Sequence, residues 1–202
     1  GAISPEQAVK LRQCLDHIDE LEAHRKEIES EILRIAEPFS AVLDLLYTLP
    51  GLNKNPMTAI AILSEIGPDM SVFPSSKHLI SWAGCCPRND QSNQKVKSRR
   101  ISRAGSYLKP LLVQVANALI KSKKHPEFKE RYHRIKSRRG HKKAIIAVCK
   151  MLLTAIWNML SKLEPYNPEG FLEHRPVKQE KTLTVSQALE LLRLRGYTIA
   201  NQ

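Results

Sequence analysis

The sequence predicts an all-α protein, with a long N-terminal coiled-coil helix followed by a compact helical domain that carries a helix-hairpin-helix-like unit and a basic loop. Two observations lead to this prediction. Apolar residues recur at spacings of three and four over residues 5–37, which is the period of one helix face. Two later segments, 107–121 and 144–163, are apolar on most sides, as buried helices are. The 202 residues suffice for one or two domains with a real core.

The first helix is predicted over residues 5–37. Ser4 and Pro5 suit its start, because serine caps helices well and proline is favoured at the first helical position, and Pro38 ends it. The narrow apolar stripe is typical of a coiled coil, which pairs with a second copy or folds back on its own chain. We favour pairing, as a homodimer or tetramer. The stripe consists of Ala8, Leu11, Leu15, Ile18, Leu21, Ile28, Ile32 and Ile35.

Residues 39–67 are predicted to form a helical hairpin, with helices over 39–46 and 56–66 around a Leu-Pro-Gly turn. This order resembles a helix-hairpin-helix, in which the turn and the second helix N-terminus direct backbone N–H groups at a phosphate. Asn53 and Asn55 stand where glycine is expected. Phosphate binding and simple packing both remain open for this unit.

Composition changes divide the chain into four segments. The segments are a coiled-coil helix over 1–37, a compact helical domain over 38–163, a linker rich in Pro, Asn, Glu and Lys over 164–181, and a C-terminal helix within 182–202. In the last segment, Thr184 and Gln187 form a capping-box pattern and Gly196 closes the helix.

The net charge of +12 is distributed very unevenly along the chain. Counted from the sequence, residues 1–76 carry −6, residues 77–150 carry +17 and residues 151–202 carry +1. A positive charge so concentrated indicates a polyanionic partner, with nucleic acid first and an acidic membrane surface second. We expect DNA or RNA as the partner, and no membrane.

Other functional classes find little support in the sequence. No apolar run approaches the ~20 residues of a membrane span, and the first residues do not resemble a signal peptide. The four cysteines show no CxxC spacing, so we expect no zinc site and reduced thiols in a cytoplasmic protein. We expect no cofactor in this chain.

The stretch from Trp82 to Leu108 is where chemistry is most plausible. A polar loop is predicted from Arg88 to Ser98, with Ser92 near its middle. A hydroxyl among cations suits phosphodiester chemistry, although composition alone favours the interpretation of Ser92 as an ordinary polar loop residue. The surrounding cations are Arg88, Lys95, Lys97, Arg99, Arg100, Arg103 and Lys109.

A second basic segment covers residues 122–143, with ten lysine and arginine residues. Phe128, Tyr132 and Ile135 recur at helical spacing, so one face is predicted to pack while the cations stay in water. We predict that these cations contact a DNA or RNA backbone rather than serving solubility alone. The candidates are Lys129, Arg134, Arg138, Arg139, Lys142 and Lys143.

Several motifs occur together in one order over residues 46–163. They include LPG, MTAIAILSEIG, AGCCPRNDQSNQK, RRISRAGSYLKPLLVQVA and HPEFKERYHRIKSRRGHKKAIIAVCKMLLTAIW. An AGxxP…QS loop followed by a basic RxSxxG segment resembles the C-terminal serine domain of the insertion-sequence family 110 transposases. These are the bridge-RNA-guided recombinases, and the Piv-type DNA invertases are their relatives.

The resemblance implies a composite recombinase site. Ser92 would correspond to the nucleophilic serine, although the family often has Ser-Gly where this chain has Ser92-Asn93. The long first helix would correspond to the coiled coil that mediates dimerisation, and a guide (bridge) RNA would be a partner. The metal site of the family lies in an N-terminal RuvC-like domain that binds Mg²⁺, which we expect to be absent from this chain. This polypeptide alone is therefore not expected to cut DNA efficiently.

Two functions from different classes follow. The first is the catalytic-serine and DNA-binding part of a transposase, with Arg88, Arg99, Arg100 and Arg103 holding the scissile phosphate, because the planar guanidinium fork donates two hydrogen bonds to phosphate oxygens. The second is a non-catalytic nucleic-acid-binding and dimerisation module. Ser106, at a predicted helix start, is the second choice of nucleophile.

Overall fold

Seven helices and one short two-stranded ribbon make up the described part of the protein, which we analysed as a computed structural model. The described residues are 3–53, 55–87, 90–92, 95–98, 101, 104–169, 186, 190 and 193–195. The all-α prediction is confirmed, with the ribbon as a small addition. The elements are α1 (Pro5–Ala36), α2 (Ser40–Thr48), α3 (Pro56–Ile66), α4 (Ser76–Trp82), β1 (Asp90–Ser92), β2 (Lys95–Ser98), α5 (Leu108–Leu119), α6 (Pro126–Arg139) and α7 (His141–Lys162).

Helix α1 begins as the sequence predicts and stays almost wholly exposed. The Gln7 N–H donates to Ser4 Oγ at 3.3 Å, and the Ser4 N–H donates to Gln7 Oε1 at 3.0 Å, which completes a capping box. Only Ala36 is buried, and Leu15 and Ile18 in the stripe remain 53% and 50% exposed. Within the described residues, α1 therefore does not fold back on its own chain. After it, Pro38 lies in a 3-10 turn, Glu37–Phe39.

Helix α7 is the centre of the core. Ten of its residues are buried, and α6, α5, α4 and α2 all pack against it. It spans 22 residues and is long and apolar enough to cross a membrane by length and composition alone, although no unbroken apolar run within it approaches the ~20 residues of a span. Because 56% of its most apolar window is buried inside the described body, it has the burial of a core helix.

The α2–α3 hairpin packs its turn against α5. Leu49 and Leu52 of the turn are buried. Gly51 has φ +88°, and a Cβ added there would lie 2.8 Å from Val115 Cγ1 of α5. The start of α3 is already capped, because the Met57 N–H donates to Asn55 Oδ1 at 3.0 Å. The packing function left open above is therefore observed, and the helix start where a phosphate would bind has an internal acceptor.

Helix α6 is basic on its outer face and held to the body by aromatic residues. Phe128 is fully buried and Tyr132 nearly so, while Ile135 is half-buried. The chain beyond α7 returns over this helix. The Tyr166 N–H donates to Thr48 Oγ1 at 2.9 Å, its hydroxyl donates to Glu127 Oε1 at 3.1 Å, and its ring stacks on Phe128. The first residues of the predicted linker are thus packed on α2 and α6.

Residues 169–202 form a separate unit, of which little is described. Residues 186, 190, 193 and 194 are helical. The predicted cap residues Thr184 and Gln187, and Gly196, lie outside the described residues.

The four cysteines are free thiols, as expected. Cys85 and Cys149 are buried, Cys86 is half-buried and Cys14 is exposed. Burial raises the pKa of the Cys149 thiol to about 12. The two buried thiols therefore belong to the core in their neutral form.

Candidate nucleic-acid interface

The segment around Ser92 contains a β-hairpin rather than the predicted loop over Arg88–Ser98. Strands β1 and β2 pair antiparallel, with Ser92 opposite Lys95 and Gln91 opposite Val96. Only two residues separate Ser92 from Lys95, so the pair closes the end of the hairpin. The prediction of a loop was wrong because a polar segment gives no strong strand pattern. The signals that could have indicated it are asparagine in the two-residue connection and the polar–apolar alternation of Lys95 and Val96.

The hairpin contains an irregularity on its second strand. Asp90 pairs with Ser98, whereas the next residue, Gln91, pairs with Val96. One step along β1 therefore corresponds to two along β2, which leaves Lys97 as the extra residue of a β-bulge. Bulges bend a strand and increase its twist, and they often redirect residues near functional sites.

The base of the hairpin is fixed by contact between two glycines and the opposite backbone, which we call the glycine crossing. A Cβ on Gly84 (φ +65°) would lie 2.4 Å from the Ala104 carbonyl oxygen, and one on Gly105 (φ +67°) would lie 2.4 Å from the Ala83 carbonyl oxygen. The end of α4 and the approach to α5 thus touch backbone to backbone. Beyond the crossing, Pro87 bridges Ile101. The sequence suggested only helix ends at these glycines, not that the two chain segments meet there.

The predicted site residues are described to different extents. Ser92, Lys95 and Lys97 have described backbones within the hairpin, and Arg88, Arg99, Arg100 and Arg103 lie outside the described residues. Lys109 is half-buried in the first turn of α5, and its Nζ lies 2.9 Å from the position that a Gly84 Cβ would take. The ammonium of Lys109 therefore lies at the base of the hairpin. Burial raises the pKa of the neighbouring Cys85 thiol, and the charge of Lys109 partly opposes this rise.

A second cationic surface, the α6–α7 surface, covers α6 and the first turn of α7. Its members are all exposed: Lys129, Arg134, Arg138, Arg139, Lys142 and Lys143. The two helices meet at Gly140 (φ +80°), so Arg138 and Arg139 at the end of α6 adjoin Lys142 and Lys143. Cations at a helix C-terminus also interact favourably with the helix dipole, which explains part of this clustering.

Contacts beneath this surface hold the two helices together. The Tyr132 hydroxyl and His141 Nδ1 share a hydrogen bond of 2.8 Å, and Lys136 Nζ lies 5.4 Å from the Tyr132 ring centroid. A cation above an aromatic ring is attracted by the ring quadrupole. The α6–α7 surface therefore rests on the buried ring of Tyr132 and is more than a solvated helix face.

The described acidic and thiol groups do not assemble a metal site. Nowhere in the described ranges do three or more His, Cys, Asp or Glu side chains come together in a group that could hold a metal ion. Twelve of the 20 acidic residues lie in the first 76 residues, and eight of these twelve belong to the almost wholly exposed α1. The described side chains therefore offer cations for a polyanion and no ligand set for Mg²⁺.

Comparisons with known proteins find one family model and curated relatives that match parts of the chain. The model of the IS116/IS110/IS902 transposase family matches residues 43–133, which contain the hairpin and the glycine crossing. The chain is 30% identical over 125 residues to the pilin gene-inverting protein of Moraxella bovis, and 29% identical over 125 residues to that of Moraxella lacunata. Each match covers 61% of this chain and 38% of the relative, so the chain spans well under half the length of these curated relatives. No solved structure matches the chain.

We expect Gly105→Ala to destabilise the protein more than Gly140→Ala. Both glycines have positive φ, which alone costs a substituted residue about 1–3 kcal/mol. At Gly105 the added methyl group also meets backbone atoms of Ala83, at a further cost of about 1–3 kcal/mol, whereas nothing lies within 4 Å of it at Gly140. Urea unfolding measures both free energies. Equal losses for the two variants would contradict the role of the crossing.

Proposed function

We propose that this relative of the IS110-type transposases uses its hairpin and cationic surfaces as the serine-bearing part of an enzyme that cuts and rejoins DNA. The observation that carries the proposal is the position of Ser92. It ends β1 at the closed end of a hairpin, within a segment of net charge +17 and inside the family match. Ser92 lies five residues beyond Pro87, so a nucleophile there stands at most about 17 Å along the strand from Pro87, away from the body.

In the proposed reaction, Ser92 Oγ attacks a DNA phosphorus. The new O–P bond forms while the bond to one sugar oxygen breaks, the serine loses its proton and the released sugar oxygen gains one. The strand is then held as a phosphoserine diester, so one phosphodiester replaces another and the bond energy is conserved. Attack by a sugar hydroxyl of a different strand reverses the step and completes recombination.

Cations near the hairpin would stabilise the charge on the phosphoryl oxygens. Arg88, Arg99, Arg100 and Arg103 are our candidates, because they flank the two strands in the sequence. Arginine suits this function, since two parallel hydrogen bonds to phosphate fix orientation as well as charge. Lys109 at the base of the hairpin adds a further positive charge.

The Mg²⁺ ion that the resemblance implies belongs to a RuvC-like domain. The described residues of this chain do not fit a magnesium site, because their acidic side chains form no cluster. We therefore assign no step to a metal held by these residues. In the complete enzyme, the RuvC-like domain would supply Lewis-acid stabilisation of the same phosphoryl group.

Two partners besides DNA belong to this proposal. A guide RNA follows from the resemblance alone, and the α6–α7 surface has the charge to contact its backbone as well as that of DNA. A second copy of the chain would cover α1, whose apolar stripe is left half exposed by the rest of the described body.

A non-catalytic DNA-binding and dimerisation module is the second candidate. It is favoured by α1 and the α6–α7 surface, since neither requires chemistry at Ser92. The two candidates differ in one observable, the covalent protein–DNA adduct.

We expect Ser92→Ala to abolish the covalent adduct and to retain DNA binding, because only the nucleophile is removed. The measurement is denaturing electrophoresis of the complete enzyme with its guide RNA and labelled DNA. Ser106→Ala, which changes an exposed serine before α5, is the matched control and should leave the adduct unchanged. Adduct formation by the Ser92→Ala enzyme would eliminate Ser92 as the nucleophile, whereas a wild-type enzyme that forms no adduct would favour the non-catalytic module.

We expect replacement of Arg138 and Arg139 by glutamine to reduce the salt dependence of duplex DNA binding. Each lost phosphate contact lowers the slope of log K against log salt by about 0.9, so the double variant should lose about 2. Fluorescence anisotropy at several salt concentrations measures the slope. The matched control replaces Lys10 and Arg12 of α1 by glutamine and should leave the slope unaltered. Identical slopes for all three proteins would exclude the α6–α7 surface as a phosphate contact.

We expect Leu15→Lys to reduce the mass of the oligomer in solution, because it buries a charge in the paired stripe. Asp16→Lys introduces the same side chain one residue away, on the charged face, and should leave the oligomer intact. Light scattering coupled to size-exclusion chromatography measures both masses. A wild-type protein that is monomeric at all concentrations would contradict pairing through α1.

A further inference from the structure

Three exposed apolar side chains belong to the segments that meet at the base of the hairpin. Trp82, Ile101 and Tyr107 are 45%, 40% and 74% exposed, whereas the other large exposed apolar side chains of the body outside α1, such as Val72 and Leu163, lie in separate parts of the sequence. All three flank the glycine crossing. Trp82 ends α4 just before it, Tyr107 lies two residues beyond Gly105, and Ile101 forms the bridge with Pro87.

The crossing brings the backbones of these residues close together. A Cβ on Gly105 would lie 3.3 Å from the Ala83 Cα. Successive Cα atoms are 3.8 Å apart, so the Cα atoms of Trp82 and Tyr107 lie within about 16 Å of each other. This upper limit does not exceed the length of a few stacked bases.

The indole of Trp82 is held in place from within the protein. Its ring meets that of Phe73 edge-on, with centroids 5.7 Å apart. Phe73 is in turn held by α7, because Trp157 Nε1 donates to its carbonyl oxygen at 2.9 Å. Because the contact with Phe73 orders the half-exposed indole in advance, its exposed part can receive a planar ligand without first losing side-chain entropy.

The charge around these rings indicates the ligand. They lie in the segment of net charge +17, and the Lys109 ammonium occupies the same base. Aromatic rings interspersed with cations are the composition of single-strand binding surfaces, where bases stack on the rings and phosphates meet the charges. Bases in a duplex are already stacked, so exposed rings select unpaired nucleotides.

We propose that Tyr107 and Trp82 form a base-stacking surface for unpaired DNA nucleotides at the base of the hairpin that carries Ser92. The choice of DNA as occupant rests on the proposed function, because the strand cut at the hairpin must pass its base. Separation of the strands there would leave bases that these rings can stack. The surface thus distinguishes an opened DNA site from intact duplex.

The test is the affinity of the full chain for a 20-nucleotide oligothymidylate, measured by fluorescence anisotropy. Loss of one base–aromatic stack corresponds to about a 5- to 150-fold loss of affinity, which we expect for Tyr107→Ala. Tyr107→Phe keeps the ring and should stay within about twofold of wild type. Phe39→Ala removes another exposed aromatic ring, far from the crossing in sequence, and should change nothing.

An abasic oligomer of equal length and charge separates stacking from electrostatics. Tyr107→Ala should bind it as wild type does, and duplex DNA likewise. Equal weakening for the oligothymidylate, the abasic strand and the duplex would overturn the proposal.

Trp82→Ala should repeat the pattern of Tyr107→Ala, and Trp82→Phe should restore part of the affinity. A loss in Trp82→Ala that is the same for all three ligands would remove Trp82 from the surface.

An oligouridylate of the same length distinguishes RNA from DNA. Tighter binding of the oligouridylate, with the larger loss in Tyr107→Ala, would overturn DNA as the occupant. None of these measurements involves covalent chemistry, so they are independent of the Ser92→Ala adduct test. If the stacking effects are observed but the adduct still forms without Ser92, the serine mechanism is refuted and the stacking surface is not.

Discussion

The glycine crossing, in which Gly84 lies against the backbone of Ala104 and Gly105 against that of Ala83, is the constraint on which the candidate site depends. Each glycine lies where any side chain would collide with a backbone carbonyl, and each has a positive φ that glycine adopts without strain. The contact joins two points that are 21 residues apart in the sequence. The chain between them therefore returns to the place from which it departs, and the hairpin of β1 and β2 lies within this excursion. The position of Ser92 is therefore set by backbone packing at the crossing and by the register of the strands beyond it.

The body below the crossing separates two physical tasks. Helix α7 provides the apolar interior, and α4 and α5, which carry the two sides of the crossing, both pack on it. Helix α6 also packs on α7, through Phe128 and Tyr132, and keeps its cations in water. Positive charge is thereby placed on a rigid support without burial, which avoids the desolvation cost of a buried charge. Tyr166 reinforces the arrangement by joining α2 to the start of α6.

Much of the helical framework could be predicted, because helix ends and apolar stripes are local signals. Helix α3 has its predicted bounds, and Ser4 caps α1 as expected. The hairpin could not be predicted with the same ease, since its pairing is encoded in a polar segment and its base in a contact between distant glycines. Ser92 and its cations were selected by motif order, and their side chains are not tested by the fold. Tyr107 and Trp82 were overlooked because an aromatic residue at a helix end usually belongs to the core, and only the observed exposure separates the two cases.

The exposed first helix has a consequence for spacing. Its 32 residues, at 1.5 Å per residue, make a rod of about 48 Å, comparable to about 14 base pairs of B-form DNA. If two such rods lie side by side in opposite directions, their compact bodies stand at opposite ends. If they run in the same direction, the two bodies are neighbours. The polarity of the rods thus decides whether a pair of these proteins meets one short stretch of double helix or two points more than a helical turn apart.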